Sequence, residues 1–373
     1  MVTGSAAITD EREVEMAQER TTGTVPGIAR LGRDESVQIA ASESLESKRG
    51  VMRAVVQDGY GSADVWRLRE IDRPDIASNE VLVKVRAAGM DRGTWHSMTG
   101  KPYVMRIMGF GFRRPKNRVA GMDVAGTVAA AGADVSRFRA GDEVFGISRG
   151  SYADYAAASE DKLALKPAGL TFEQAAVVPI SGGTAIQGLR AGGIESGQRV
   201  LIIGASGGVG TYAVQLAKAL GATVTGVCST AKVDLVRSIG ADRVIDYTLE
   251  DFAAGAPSYD LILDTGGNSR LSRLRRALAP KGTLVIVGGE GKGNVTGGFG
   301  RQIRAVMLSP FVGQRLTMLA SKEHHSHIEE VSRFIEAGQV TPMIDSTYAL
   351  AEAPDAMRHL EGGRTRGKIA ITI

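Results

Sequence analysis

A glycine-rich turn between an apolar strand and a helical stretch is the strongest chemical signal in the sequence. Residues 204–210 read G-A-S-G-G-V-G, between an apolar run at 200–203 and a helix predicted over 209–220. This order lets the backbone approach a pyrophosphate, which the helix N–H groups and positive dipole end would bind. Alanine replaces the first glycine of the usual fingerprint. The predicted dinucleotide contacts are Gly204, Ala205, Ser206, Gly207, Gly208, Val209 and Gly210.

The end of the next predicted strand indicates which dinucleotide is bound. That strand covers 222–227, and the following residues 228–232 read C-S-T-A-K. They lack the acidic residue that accepts a hydrogen bond from the ribose 2′-hydroxyl of NAD. The hydroxyl groups of Ser229 and Thr230 and the Lys232 ammonium suit a 2′-phosphate instead. A solvated lysine at a helix start is the alternative for Lys232. We therefore predict NADPH as the cofactor.

Two patterns of elements surround this turn. From residue 51 to about 170, β-branched runs alternate with closely spaced glycines, which is typical of a β-rich, barrel-like module. From residue 172 onward, apolar strands are separated by helical stretches of about 10–15 residues, which predicts βαβ units and a parallel sheet with helices on both faces. The last strand, over 368–373, is expected to return to the first module. The predicted domains are 51–175 with 341–373, and 176–340.

Composition excludes several classes of function. The chain has 373 residues, of which 43% are hydrophobic, and this length predicts two globular domains. A single cysteine, Cys228, excludes a disulfide framework and any multi-thiolate metal site. The net charge of +4 without a Lys/Arg block argues against nucleic-acid binding, and the lack of a long apolar run argues against a membrane span.

The first fifty residues form a separate case. They contain no aromatic residue, and their aliphatic side chains are scattered among charged and hydroxyl residues. Such a segment buries too little apolar surface to offset the entropy of ordering it. Acidic residues from Asp10 onward also argue against a secretory signal or a mitochondrial presequence. We predict a disordered or loosely helical extension over 1–50.

Once both modules are placed, the chain resembles a known family. The strings V-L-V-K-V-R-A-A-G at 81–89, V-A-G-M-D-V-A-G at 119–126 and V-L-I-I-G-A-S-G-G-V-G at 200–210 are similar to the zinc-independent, quinone oxidoreductase-like branch of the medium-chain dehydrogenase/reductase superfamily. This resemblance covers 52–373. It implies an α/β protein with a GroES-like catalytic domain, a Rossmann domain, a cleft between them and often a dimer.

The resemblance also addresses metal binding. Asp91 occupies the place of the first zinc-ligand cysteine of zinc alcohol dehydrogenases, and G-M-D at 121–123 replaces the G-H-E string that carries the ligand histidine. No cysteine occurs between residues 170 and 195, where the third ligand would lie. A thioether and a carboxylate do not build the three-ligand site of a catalytic zinc. We predict no metal, and hence reduction of an already activated acceptor.

The same resemblance suggests catalytic residues. It aligns His96 with a position that holds a proton-relay histidine in zinc enzymes and often a tyrosine in quinone reductases. Arg92 falls where zinc enzymes often place an arginine against the pyrophosphate, and Asp91 replaces an asparagine common in quinone reductases. Each has a structural alternative: a solvated or packed histidine, a surface arginine and a turn-capping aspartate. Hydride transfer needs a hydrogen-bond or proton donor at the acceptor oxygen, which His96 would supply.

These residues predict an NADPH-dependent, metal-independent reductase of quinones or α,β-unsaturated carbonyls, cytoplasmic and homodimeric. Two alternatives stay open: a non-catalytic protein that binds NADPH or a partner on the same fold, and, less favoured, a zinc-dependent alcohol dehydrogenase. Tyr247 and Ser229 are expected beside the adenosine phosphate. The nicotinamide side is expected to be lined by Thr184, Gly266, Gly267 and Gly288.

Three further segments have more than one interpretation. Residues 105–116 mix apolar and basic side chains and could form a lid, a membrane-surface contact or a packed loop. The H-H-S-H string at 324–327 has metal-like spacing, but a solvated helix start is favoured. G-G-R-T-R-G-K at 362–368 satisfies a P-loop pattern, yet Ile369 replaces the Mg²⁺-binding hydroxyl residue and a strand follows instead of a helix.

Overall fold

The structure is a computed structural model of the chain. It describes residues 50–255, 258–288 and 297–373. The extension predicted over 1–50 therefore lies outside the described residues except for its last position. Within the described ranges, no helix is long and apolar enough to cross a membrane.

The described residues form the following strands and helices. The strands are β1 (Val51–Val56), β2 (Arg67–Asp72), β3 (Glu80–Met90), β4 (Asp123–Ala131), β5 (Glu143–Ile147), β6 (Tyr155–Ser159), β7 (Leu163–Leu165), β8 (Arg199–Ile203), β9 (Thr223–Cys228), β10 (Arg243–Asp246), β11 (Tyr259–Asp264), β12 (Leu278–Ile286), β13 (Arg315–Met318), β14 (Ile344–Ala349) and β15 (Lys368–Thr372). The α-helices are α1 (Arg92–Thr99), α2 (Phe172–Ala176), α3 (Pro179–Gly192), α4 (Gly208–Ala219), α5 (Val233–Ser238), α6 (Leu271–Ala277), α7 (Phe299–Leu308), α8 (His325–Glu336) and α9 (Ala353–Glu361).

A seven-stranded, mostly antiparallel sheet forms the first module. Its order is β14-β15-β3-β4-β5-β7, and β6 also pairs with β3. The long strand β3 buries Val81, Val83 and Val85 on one face, as the alternation in the sequence predicts. The C-terminal strand β15 pairs antiparallel with β3, where Ile369 lies opposite Met90. The expected return of the chain end to the first module is therefore present.

A six-stranded parallel sheet forms the second module. Its order is β10-β9-β8-β11-β12-β13, the doubly wound arrangement in which the strand order reverses between β8 and β11. Along β8, Val200 and Ile202 pack into one apolar cluster, and Leu201 and Ile203 pack into another. Both faces of the strand are therefore buried, which explains its uninterrupted apolar run. The α/β class predicted from the sequence is confirmed, with the barrel-like module and the Rossmann-type sheet both present.

The strand expected over 152–157 lies a few residues later, at β6. Tyr152 precedes it and is fully buried, and its hydroxyl donates a hydrogen bond to the Gly89 carbonyl oxygen at 3.2 Å. A side chain held this way tethers the turn before the strand. The apolar alternation therefore begins before the hydrogen-bonded pairing of β6 with β3 does. For this reason the predicted start of the strand, at 152, lies three residues too early.

Candidate functional site

The glycine turn after β8 lies at the switch point of the parallel sheet. Gly204 has φ of +83°, in the left-handed region that favours glycine, and its N–H and that of Ala205 both donate to the Val227 carbonyl oxygen at 3.1 Å. A Cβ at Gly210 would lie 2.1 Å from the Gly204 carbonyl oxygen. The last glycine is therefore required for α4 to pack this closely against the turn.

Ala205 departs from the glycine fingerprint, and the neighbouring strand accommodates it. Its side chain is fully buried, and a Cβ at Gly226 on β9 would lie 3.0 Å from the Ala205 methyl group. The same added Cβ would lie 2.4 Å from Val236. Glycine at 226 therefore provides the space that the extra methyl group at 205 requires, and the turn keeps its shape.

The residues of the turn fit a dinucleotide pyrophosphate. Helix α4 is preceded by Gly207, and no side chain among the described residues caps its first N–H groups. A Cβ at Gly207 would meet only the Gly204 carbonyl oxygen, at 3.4 Å, so the approach to Gly207 is open. An uncapped N-terminus of a 12-residue helix with an open approach is suited to bind an anion.

The predicted adenosine end follows β9. Lys232 is half-buried, and its ammonium donates to the carbonyl oxygens of Gly363 at 3.0 Å and Thr365 at 2.8 Å. Burial is the main cause that lowers the pKa of Lys232. Two of its three N–H groups thus join the 362–367 segment to the strand end.

That C-terminal segment brings two arginines that sequence reasoning did not select. The Gly367 N–H donates to the Ser206 carbonyl oxygen at 2.9 Å, and Arg366 donates to the Ala231 carbonyl oxygen. Arg364 and Arg366 are both exposed on this segment. Their signal in the sequence is the G-G-R-T-R-G-K string at 362–368, which satisfies a P-loop pattern but precedes a strand. The structure instead places it beside the glycine turn and the end of β9.

Ser229, Thr230 and Tyr247 surround the same strand ends. Thr230 Oγ1 lies 3.0 Å from Thr248 Oγ1, and the Tyr247 N–H donates to the Cys228 carbonyl oxygen at 3.0 Å. Asp246, at the end of β10, is buried and accepts the Thr248 hydroxyl at 2.7 Å. Hydrogen bonding, chiefly from Thr230, lowers the pKa of Asp246. The Asp246 carboxylate is thus bound by Thr248, which follows the same strand. The Tyr247 ring is exposed.

The loops after β11 and β12 are tied together by a buried ion pair. Asp264 is fully buried and accepts the Gly267 N–H at 3.1 Å. Arg301 on α7 donates to the Asp264 carboxylate and to the carbonyl oxygen of Gly288 at 3.1 Å. A Cβ at Gly288 would lie 2.6 Å from the Thr265 carbonyl oxygen. Three of the residues expected on the nicotinamide side, Gly266, Gly267 and Gly288, therefore lie in one cross-linked loop pair, and Arg301 is the residue that the sequence did not indicate.

A cavity of about 210 Å³ adjoins Thr184. It is lined from α1, β5, α3 and the start of α8, by Gly93, Phe110, Met122, Ile147, Pro179, Ile180, Gly183, Thr184, Gln187, Ser321, Lys322, Glu323, His324, His327 and Ile328. A larger groove of about 760 Å³ shares Phe110, Met122, Ile147 and Glu323 with it. The small cavity therefore continues into a wider groove.

Asp91 belongs to a buried charge cluster at the ends of three adjacent strands. Lys368 Nζ lies 3.1 Å from Asp123 Oδ2 and 3.6 Å from Asp91 Oδ2. Exposed fractions are 2% for Lys368, 0% for Asp123 and 8% for Asp91. Burial alone would lower the pKa of Lys368, but the two carboxylates outweigh it and raise that pKa. Sequence reasoning missed Lys368, whose partners are distant along the chain.

The cluster touches three functional segments. Asp91 Oδ1 accepts the Thr94 N–H at 3.0 Å and so caps α1, and Asp123 Oδ1 accepts the Ile180 N–H at 2.9 Å at the start of α3. The Lys368 stem packs against the first residue of α4, because a Cβ at Gly208 would lie 2.9 Å from its Cδ. The carboxylates of this cluster thus hold the starts of α1 and α3, and the start of α4 packs against the stem of its lysine.

The other two predicted catalytic residues lie on α1. Nδ1 of His96 is 2.6 Å from the Lys101 carbonyl oxygen, and its ring packs edge-on against Trp95. The Arg92 guanidinium lies 5.6 Å from the Trp95 ring centroid. Of the described residues that line the two cavities, α1 contributes Gly93, Thr94 and Ser97. The structure therefore brings Asp91 to the buried cluster and places His96 and Arg92 around Trp95.

Among the described residues, no three or more His, Cys, Asp or Glu side chains are grouped to hold a metal ion. The carboxylates of Asp91 and Asp123 are instead arranged around the ammonium of Lys368.

Comparisons with known proteins match both modules. The alcohol dehydrogenase GroES-like domain family matches residues 77–168, and the zinc-binding dehydrogenase family matches residues 239–371. The second description refers to zinc; the resemblance to zinc alcohol dehydrogenases implies that Asp91 and Met122 of this chain stand at two of their ligand positions.

Two curated relatives and one solved structure illustrate the likeness. The 2-methylene-furan-3-one reductase of Solanum lycopersicum is 32% identical over 353 residues, with 90% of this chain and 83% of the relative covered. The NAD(P)H oxidoreductase RTN4IP1, mitochondrial, of Danio rerio is 33% identical over 364 residues, covering 88% and 92%. The quinone oxidoreductase structure from Coxiella burnetii has a TM-score of 0.78 at 28% identity, covering 87% of this chain and 100% of that one.

Proposed function

Because the chain belongs to the quinone oxidoreductase-like branch of the medium-chain dehydrogenase/reductase superfamily, we propose that it is an NADPH-dependent, metal-independent reductase of quinones or α,β-unsaturated carbonyl compounds. The observation that carries the proposal is the open, uncapped glycine turn at the sheet switch point, with a Thr184-lined cavity in the same chain. The tomato relative is named for an enone, and the Coxiella neighbour is named a quinone oxidoreductase.

NADPH is favoured over NADH by the charges at the end of β9. Ser229, Thr230, Lys232 and Tyr247 would hold the 2′-phosphate, and the exposed Arg364 and Arg366 add positive charge beside them. The Lys232 ammonium keeps one N–H beyond the two that bind carbonyl oxygens of described residues. Phosphate binds such charged donors more strongly than a ribose hydroxyl does.

The reaction site would lie where the cavity meets Thr184. The nicotinamide, when bound there, supplies a hydride. Thr184, Gly266, Gly267 and Gly288 would line its pocket, and the Asp264–Arg301 pair would keep the last three in register. We keep Asp91, Arg92 and His96 as the catalytic set that the resemblance suggests; none of the three lines either cavity itself. Asp91 caps α1, the helix that contributes Gly93 to the cavity, so its observed contact with the site is one of positioning.

The direct test follows NADPH absorbance in the presence of menadione and of a long-chain alkenal. Purified protein should oxidise NADPH in an acceptor-dependent way and prefer NADPH to NADH. Lys232→Met should weaken NADPH binding by about 10- to 100-fold, the effect of one lost charge-assisted hydrogen bond, and leave NADH binding unchanged.

Lys281→Met is the matched control, because Lys281 is exposed on β12, away from the end of β9. It should behave as the unaltered protein does. Preference for NADH, or equal effects of the two variants, would contradict the assignment of the 2′-phosphate site. Tight NADPH binding without turnover of any acceptor would favour the non-catalytic alternative.

The proposal has three further parts: the domain boundaries, the oligomeric state and the location in the cell. We place the domain boundaries at 51–175 with 341–373 and at 176–340, supported by the strands of the two large sheets, which fall on opposite sides of these boundaries. We propose a homodimer, supported by the exposed apolar residues next to β13, such as Met307 and Phe311. A cytoplasmic location is also proposed; the zebrafish relative is named mitochondrial, so cell fractionation decides between the two compartments.

A further inference from the structure

The small cavity has two kinds of wall. Phe110, Met122, Ile147 and Ile180 supply apolar surface, and the opposite end of the lining comes from the segment that contains the H-H-S-H string. That string was favoured as a solvated helix start. In the structure, His324 and His327 both line the cavity, together with Gly93 and Thr184. The histidines therefore belong to the wall of the proposed reaction site.

His327 differs from the other histidines of the chain in its contacts. Across residues 50–255, 258–288 and 297–373, which contain all five histidines, the other four rings each lie within hydrogen-bonding or ion-pairing distance of a polar partner. These pairs are His96 with Lys101, His324 with Ser326, His325 with Glu329, and His359 with Tyr348 and Asp345. Within the same ranges, no hydrogen bond or ion pair is found for the imidazole of His327.

The surroundings of His327 favour the neutral ring. Burial is the largest cause that lowers its pKa, and the charges of His324 and Lys322 act in the same direction, against Glu330. A neutral imidazole has one N–H donor and one nitrogen acceptor. His327 therefore places a half-buried N–H donor in the wall of the cavity, and this donor has no hydrogen-bond partner among the described residues.

We propose that His327 donates a hydrogen bond to the carbonyl oxygen of the acceptor, the role that the resemblance suggests for His96, and so determines which end of the acceptor enters the cavity. This rests on the proposed function. His327 lines the cavity, whereas His96 lines neither cavity. The remainder of the acceptor passes Phe110 and Met122 into the wider groove, whose volume is about 760 Å³. The substrate class is therefore a small planar carbonyl head with a larger, mainly apolar remainder.

The hydrogen bond would act where charge develops. Hydride addition to the β carbon of an unsaturated carbonyl breaks the carbon–carbon π bond and moves an electron pair onto the oxygen. A positioned N–H stabilises that charge more than it stabilises the starting carbonyl. The α carbon then takes a proton from water. His327 therefore acts by hydrogen bonding and neither gains nor loses a proton overall.

Three variants test the assignment. His327→Leu removes the donor with similar bulk, His327→Gln keeps an N–H donor, and His325→Gln is the control on the same helix, because His325 Nδ1 lies 3.0 Å from Glu329 Oε1. His327→Leu should lower kcat/KM for a long-chain alkenal and for menadione by about 10-fold, the value of one hydrogen bond. His327→Gln should recover part of this loss, and His325→Gln should show none.

Two readouts do not depend on turnover. The affinity of the saturated aldehyde, measured by calorimetry on cofactor-free protein, should fall in His327→Leu by less than kcat/KM does, because the bond strengthens in the transition state. NADPH affinity, measured by fluorescence, should stay unchanged in all three variants and report an intact fold.

The outcomes separate this inference from the proposed function. If the unaltered protein is active and His327→Leu matches it in kcat/KM, the inference is wrong and the proposed function stands. Equal losses in His327→Leu and His325→Gln, or no recovery in His327→Gln, would also overturn the inference, because helix disruption would then explain the effect. If the unaltered protein oxidises no NADPH with either acceptor, both proposals fail.

Discussion

At the scale of single residues, the cluster of Lys368, Asp123 and Asp91 is the most constrained feature. A buried ammonium costs several kcal/mol of desolvation unless carboxylates offset it, and here two carboxylates share one ammonium. Asp91 Oδ2 has no hydrogen-bond partner among the described residues. The cluster therefore has more negative than positive groups when all are ionised, which favours retention of a proton.

The excess of negative groups in this cluster should be measurable in the titration of Asp123. Burial raises its pKa from 3.8 to about 7; Lys368 opposes this shift and Asp91 adds to it. Between these two values, the folded protein keeps a proton that the unfolded chain has released, so the free energy of unfolding falls as pH rises. Relative to Asp123→Asn, the unaltered protein should lose about 3 kcal/mol between about pH 5 and about pH 8.

Thermal unfolding of both proteins across this pH range measures the difference, since groups that titrate elsewhere cancel. Asp58→Asn serves as a control, because Asp58 is on the surface and Arg118 lowers its pKa. The stabilisation from Asp58 is present above its ordinary pKa and is lost only as pH falls below it. A pH-independent gap between the unaltered protein and Asp123→Asn would show that Asp123 is ionised throughout.

At the scale of elements, the turn between β8 and α4 is the critical connection. Gly210 packs against the Gly204 carbonyl oxygen, and backbone atoms cannot move aside as a flexible side chain can. Gly210→Ala should therefore shift the turn and weaken NADPH binding by about 10-fold or more. Fluorescence titration with NADPH measures the change.

Gly300→Ala is the matched control for this substitution. Gly300 is a helical residue of α7, and a Cβ there would meet nothing within 4 Å. This variant should bind NADPH normally and unfold at the same or a slightly higher temperature, because alanine favours helix over glycine. Normal NADPH binding by Gly210→Ala would indicate that the dinucleotide does not use this turn.

Prediction of elements succeeded where periodicity was strong. The buried strands β8 and β11 and the helix α4 were expected within one residue at each end. By contrast, β2 reads R-L-R-E-I-D and is almost wholly exposed, so it has little apolar alternation to detect. It forms because β1 pairs with it along all six residues, which is a tertiary contact.

At the scale of the whole molecule, one edge of the parallel sheet is unusually apolar. Strand β13 is the last in the order of its sheet, and α7 lies beside it in the chain. Ile303, Val306 and Met307 are exposed on α7, Met307 by 67%, and Phe311, just after the helix, is 84% exposed. An exposed apolar patch next to a strand edge is typical of a protein–protein interface.

The proposed homodimer should form through this patch. Phe311→Asp should weaken the dimer by about 100-fold or more, since a charge would be buried at the interface. Light scattering after size-exclusion chromatography measures the mass. Leu249→Asp is the control, because Leu249 is 81% exposed on the loop after β10, at the opposite edge. A monomeric unaltered protein, or dissociation by both variants, would count against this interface.

The amino-acid sequence by itself determined the α/β class, the return of the last strand and the position of the phosphate turn. These features follow from local periodicity and from glycines whose backbone needs are local, such as Gly204. Only the tertiary structure decided which charged groups meet. Lys368 and Asp123 are 245 residues apart, Arg301 meets Asp264 across 37, and His327 reaches a cavity lined by Gly93. Long-range contacts arise from sheet order and helix packing, which no local pattern encodes.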